Sequence, residues 1–195
     1  MKKSRYIQLI GLALILCGLL ALLGGHLVGK NAIEKNRQAL QQIQSILPPA
    51  TPGVMDHYAD MQMPTMQVDG RDYIALLTVP AFDVELPIRS QWSYLGANRC
   101  PSRFSGTVYD GSLIVGGSDR EGQLAFLSRI QNGDTILVTD MTGARFAYRV
   151  SMIYRTDSVE AEALMEGNCD LTLFARSQYG LEYIIVRCVA DVVAT

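Results

Sequence analysis

From Asp170 to Cys188 the chain alternates in a way that suits a pair of pleated strands. Leu171, Leu173 and Ala175 fall on one face of the first run. Thr172, Phe174 and Arg176 fall on the other. The second run, Leu181–Cys188, is rich in Ile, Val and Tyr, and places Tyr183, Ile185 and Arg187 together on one face. Gly180 supplies the permissive backbone between them. Alternation then sends Cys188 to the face opposite Arg187, into a core.

The same pattern holds from about Asp69 onward. Strands are expected at Tyr73–Val79, stopped by Pro80, and at Val84–Ile88, where Pro87 marks an edge or a strand end. Further strands follow at Ser112–Ser118, Thr135–Thr139 and Ala144–Tyr154. Asn132-Gly133-Asp134 reads as a turn, and Asp140-Met141-Thr142-Gly143 as a hairpin connection with Gly143 at positive φ. Short strands, frequent turn signals and few helices make residues 69–195 an all-β barrel or sandwich with short helices.

Upstream the chain changes character. Residues 1–5 form a basic tail with Lys2, Lys3 and Arg5. Residues 6–28 are apolar apart from Gln8 and His26. As a helix this run spans roughly 30 Å, the thickness of a bilayer core. It is longer than the apolar part of a signal peptide and ends in no small-x-small cleavage site, so an uncleaved transmembrane anchor is favoured over a cleaved leader. Residues 29–68 are expected to be a helical spacer and a linker. Asn31–Leu47 carries Ile33, Leu40, Ile43 and Leu47 on one stripe, too short a heptad run for a coiled coil, and reads as a solvated helix. Pro48–Gly53 reads as a stiff linker, and Val54–Val68 as linker or contact surface.

Composition removes several functions. Seventeen basic and nineteen acidic residues give a net charge of −2, which argues against a nucleic-acid partner. The four cysteines lack metal-site spacing and the histidines number two, so neither a metal nor a cofactor is expected. Cys169 and Cys188 would fall near one level of a hairpin turning at Tyr179. A disulfide there is the alternative to free thiols, which are expected.

Thr172-Leu173-Phe174-Ala175-Arg176, followed by Val186-Arg187, resembles the active-site hairpin of sortases, the cysteine transpeptidases that attach proteins to Gram-positive cell walls. In that family the first strand reads Thr-Leu-x-Thr-Cys, and the second carries an arginine after valine. Leu76–Ile88 resembles the opening strands of sortase domains, and Arg99–Thr107 the segment before the catalytic histidine in a clostridial, class B-like subset. Ser112–Ser118 resembles the strand Val-Ile-Ala-Gly-His-Asn. Phe126-Leu127-Ser128-Arg129 is similar to the family's Pro-Leu-Ser-Arg-Leu.

The resemblance implies a closed sortase-like β-barrel behind a single-pass anchor, with the C-terminal domain extracytoplasmic at the cell membrane. It also places Gly117 where the family has histidine and Arg176 where it has cysteine, leaving Arg187 as the retained functional residue. A glycine transfers no proton, and a guanidinium is no nucleophile. The expectation is therefore a sortase-like pseudoenzyme that binds a sorting-signal-like peptide, a pilin or an active sortase. Arg176 and Arg187 are expected to meet at the former active site, with Asp119 or Glu121 as acidic partner. The rival readings are an active transpeptidase or hydrolase with a non-standard site, with Cys100 or His57 contributing, and a structural barrel without a groove.

Overall fold

The computed structural model describes residues 2–55, 61–167, 169–177 and 182–191, with backbone alone for residues 2–10, 20–30, 94 and 95. A helix, α1 (Lys2–Ile46), leads into ten strands. These are β1 (Thr51–Pro52), β2 (Met66–Val68), β3 (Arg71–Val79), β4 (Val84–Arg89), β5 (Ser102–Ser105), β6 (Leu113–Ser118), β7 (Thr135–Asp140), β8 (Ala144–Thr156), β9 (Leu171–Arg176) and β10 (Tyr183–Ala190). Short helices α2 (Tyr94–Ala97) and α3 (Ala161–Met165) and two 3-10 turns, Pro80–Phe82 and Ala125–Ser128, fill the connections.

Eight of the strands close a barrel. Neighbours run β8-β10-β9-β6-β5-β4-β3, and β7 completes the ring by pairing with both β3 and β8. Most pairs are antiparallel; β6 and β9 run parallel, in a register that sets Gly117 beside Ala175 and Ser118 beside Arg176. Closure removes the open edges that a sheet would otherwise expose. The β7–β8 hairpin turns at Gly143, whose φ of +87° is the left-handed conformation expected there.

The alternation in the C-terminal hairpin sorts its side chains as the pleat requires. Leu171, Leu173, Ala175, Ile184, Val186 and Cys188 enter the barrel core. Phe174 and Ile185 join Ile114 and Leu164 in a second apolar cluster on the outside of the wall. A bulge where β10 meets β8 between Arg187 and Cys188 leaves Ser151 unpaired, and its hydroxyl donates to the Arg187 carbonyl at 3.0 Å.

Residues 31–68 differ from the solvated spacer and linker expected of them. Ala39 and Ile43 are buried against Val68, Tyr73, Leu76, Cys100 and Met141, so the stripe on α1 covers the barrel wall. Asn36 ties the helix down by donating to the Arg99 carbonyl at 2.7 Å. The Pro-rich segment is stitched alongside β8: Thr51 N–H donates to Gly143 O and Gly53 N–H to Arg145 O. Met63 lies in the core, and β2 pairs with β3, so the sheet begins before residue 69. The physical reason is that an amphipathic stripe and unpaired strand groups are satisfied by whatever matching surface is nearest. A heptad reading identifies the stripe without identifying its partner.

The expected anchor, residues 6–28, falls mostly on residues whose side chains lie outside the described ones. Among the described residues no helix is long and apolar enough to cross a membrane.

Candidate functional site: an aromatic groove on the barrel wall

The outer face of β6, β9 and β10 carries a cavity of about 190 Å³, walled by Trp92, Phe104, Phe174, Val159, Arg176 and Tyr183, with Gly117 also in its lining. The floor is a trio of rings. Phe174 lies 5.4 Å from Trp92 and 5.6 Å from Phe104, and Trp92 lies 5.5 Å from Phe104, centroid to centroid. Two of the three contacts are edge-to-face, the arrangement that ring quadrupoles favour. Gly116 makes the trio possible: a Cβ there would sit 2.3 Å from the Phe174 ring and 2.5 Å from Trp92. At Gly117 a Cβ would stand 3.0 Å from Leu124 Cδ1, close enough to force that side chain aside.

Arg176 ends β9 at the groove, and its cross-strand partner on β10 is Tyr183. Arg187 does not join them. It pairs with Thr172, four residues further along the hairpin. Four residues of strand span about 13 Å. Its guanidinium is instead committed to the loop that carries α3. Nη1 donates to Glu166 O at 2.7 Å and Nη2 to Ala163 O at 2.5 Å, with longer contacts to Leu164 O and the Tyr154 hydroxyl. It is 8% exposed. The last carbonyls of a helix lack partners within it, and α3 has no basic residue of its own in its last turn. Arg187 supplies that charge from the neighbouring strand. The expected meeting of two arginines is therefore corrected: alternation put both on one face, but register spaced them apart.

Of the two acidic partners expected for Arg176, Glu121 is exposed. The Asp119 backbone N–H donates to Arg176 O at 2.9 Å. Burial raises the pKa of the Asp119 carboxyl against the opposing pull of Arg155.

The thiols lie elsewhere. Cys188 is enclosed by the core, and burial pushes its pKa far up. Cys100 is 3% exposed, donates its S–H to Pro87 O at 3.3 Å, and is pushed up to about 12 by burial despite Arg89 and Arg71 nearby. Neither holds the thiolate that nucleophilic attack requires at neutral pH. All four cysteines are free, as expected. Among the described residues no cysteine or histidine lines the groove, and no group of acidic, histidine and cysteine side chains could hold a metal. His57 and the side chain of His26 lie outside the described residues. At pH 8, Cys169 is expected to be the barrel thiol that reacts with a soluble disulfide reagent, with Cys100 and Cys188 modified only on unfolding. Peptide mapping after labelling checks this, and fast labelling of Cys100 would reopen the search for a nucleophile.

Sequence reasoning missed the aromatic trio, because Trp92, Phe104 and Phe174 come from three separate segments. It also missed Tyr183 as the residue facing Arg176. The turn length between the strands held that information, and only the pairing register reads it out.

No family model matches this chain, and no curated protein matches it. Solved structures do match. Sortase A from Corynebacterium diphtheriae, in a lid-mutant form, is 18% identical with a TM-score of 0.55, over 84% of this chain and 94% of that one. Sortase C-1 from Actinomyces oris is 19% identical with a TM-score of 0.53, over 82% and 98%. A Clostridium perfringens sortase D5 transpeptidase is 18% identical with a TM-score of 0.52, over 84% and 98%. Identities this low speak for the course of the backbone, and on that ground the chain has the sortase-like fold, a closed eight-stranded barrel with short helices.

Proposed function

We propose that this protein is a membrane-anchored, extracytoplasmic binding protein. On this reading it takes an extended peptide of the sorting-signal kind into the groove beside Arg176 and does not cleave it. The observation that carries the reading is the lining of that groove. Gly117 and Arg176, which the sequence resemblance alone sets where the family has histidine and cysteine, both line it, and no thiol accompanies them among the described residues. The resemblance supplies the peptide class, and the apolar run 6–28 supplies the anchor.

The groove's chemistry suits such a ligand. Its floor accepts an apolar side chain against Trp92 and Phe174, and Arg176 is the charged residue of its lining. The strands beneath it are already paired on both sides, so a peptide is held by side-chain contacts and does not add as a strand.

Trp92 is the only tryptophan in the chain and reports directly on the floor. Titrating sorting-signal-type peptides is expected to change its fluorescence saturably, with no cleavage product by mass spectrometry. Arg176→Glu should weaken binding by at least tenfold, an effect of about 1.4 kcal/mol or more. Cleavage of a peptide by the unaltered protein would establish the enzymatic alternative. Absence of any fluorescence change across a diverse peptide set would leave the barrel as a structural module and sink the binding proposal.

A further inference from the structure

A second cavity lies on the other side of α2, in the seam between α1 and the barrel. It has a volume of about 400 Å³. Four cations line it: Lys35 from α1, Arg71 from β3, Arg89 from β4, and Arg99 from the loop after α2. No aspartate or glutamate lines it among the described residues. This is a local choice, since acidic residues outnumber basic ones in the chain, 19 to 17. Arg89 Nε is buried and has no acceptor among the described residues. Tyr73, itself 1% exposed, lines the cavity beside Arg71 and Arg89.

Gathering like charges around one space is unfavourable unless something of opposite sign enters it. We infer that this cavity is a binding site for a phosphate-bearing ligand. Three planar guanidinium forks suit the paired oxygens of a phosphate better than a point charge would, and the ammonium of Lys35 adds a fourth positive charge. The cavity falls within the size range of small-molecule sites and exceeds what a bare phosphate ion fills, so the phosphate is one group on a larger polar body.

Two sources share this chemistry: a soluble phosphorylated molecule and an anionic lipid headgroup. Asn31 and Ala32 line the cavity only three residues beyond the end of the apolar run 6–28. The lipid source alone rests on the proposed anchor; the site itself rests on no property of the peptide groove.

The test uses the full chain in a non-ionic detergent at low salt. Melting temperature is measured with inorganic pyrophosphate, with glycerol phosphate, and with short-chain phosphatidylglycerol, phosphatidylcholine serving as the neutral control. The expected result is stabilisation by one of the anionic probes, lost as salt is raised. The double variant Arg71→Gln/Arg99→Gln should bind that probe at least tenfold more weakly and should melt no lower than the unaltered protein without ligand, since repulsion is relieved. If the double variant fails to fold, Arg99→Glu at its exposed position provides the same comparison. A shift with pyrophosphate or glycerol phosphate assigns a soluble ligand, and a shift with phosphatidylglycerol alone assigns a headgroup. No shift with any anionic probe overturns the inference, as does an equal shift in the variants. Peptide-induced changes in Trp92 fluorescence read the groove separately.

Discussion

Truncating Arg187 to alanine is expected to destabilise the protein by about 4 kcal/mol, although the residue lies outside the groove. Its two short hydrogen bonds go to the carbonyls of Ala163 and Glu166, at 2.5 and 2.7 Å. Bonds to a charged donor contribute roughly 1.5–3 kcal/mol each, and Arg187 makes two of them to this segment. Leu164, in the same segment, is 2% exposed and packs with Ile114, Phe174 and Ile185, so loosening this loop also disturbs the floor of the groove. Val159 and Ala161 line the groove wall from the same loop. Arg187→Lys should recover about half of the loss, because an ammonium supplies the charge without the fork that reaches two carbonyls at once. Chemical denaturation followed by Trp92 fluorescence measures both variants. A loss below about 1 kcal/mol for the alanine variant would mean that the loop is held by its apolar contacts alone.

Asp140→Ala is expected to cost a similar amount, about 4 kcal/mol, at the β7–β8 turn. Asp140 is fully buried at the end of β7. Oδ1 accepts from Thr142 N at 2.8 Å, Thr142 Oγ1 at 2.7 Å and Ala144 N at 2.9 Å; Oδ2 accepts from the Tyr109 hydroxyl at 2.6 Å. One carboxylate thus organises the β7–β8 turn and anchors the loop before β6. Its removal leaves several donors short of an acceptor, and each buried orphan costs roughly 1–3 kcal/mol. Asp140→Asn should cost about half as much, since its amide oxygen can still serve the turn but its NH₂ cannot accept from Tyr109. Tyr109→Phe should cost about 1 kcal/mol, because the three donors of the turn remain. The same denaturation measurement ranks the three. Burial, and then the hydrogen bond and charge of Asp140, hold the Tyr109 phenol protonated well above its ordinary range.

The two arginines of the C-terminal hairpin show how far a linear reading reaches. Period-two alternation placed Arg176 and Arg187 on the same outward face, and placed Leu173, Val186 and Cys188 in the core. It could not say which residue of β10 stands opposite Arg176, because register depends on the length and path of the turn. The answer, Tyr183, moved Arg187 from a groove role to a brace under α3. The basic seam behind α1 was less legible still. Lys35, Arg71, Arg89 and Arg99 are spread over 65 positions, each unremarkable in its own segment.

The α1 stripe is an intermediate case. Its apolar residues were visible, but a solvated helix and a docked one share the same spacing.

By itself the sequence determined what is local and periodic. That covers the strands of the barrel other than β5, the turn at Gly143, the inward and outward faces of β9 and β10, and the absence of cysteine from position 176 and of histidine from position 117. These follow from backbone geometry and residue identity, which need no knowledge of neighbours. Tertiary structure alone decided what depends on distance between segments: the closure of β7 onto β3 and β8, the docking of α1, the three-ring floor, and the gathering of four cations around one cavity. Such groupings come from packing, and packing is decided by the shape and burial of all the elements together, which no window of sequence contains.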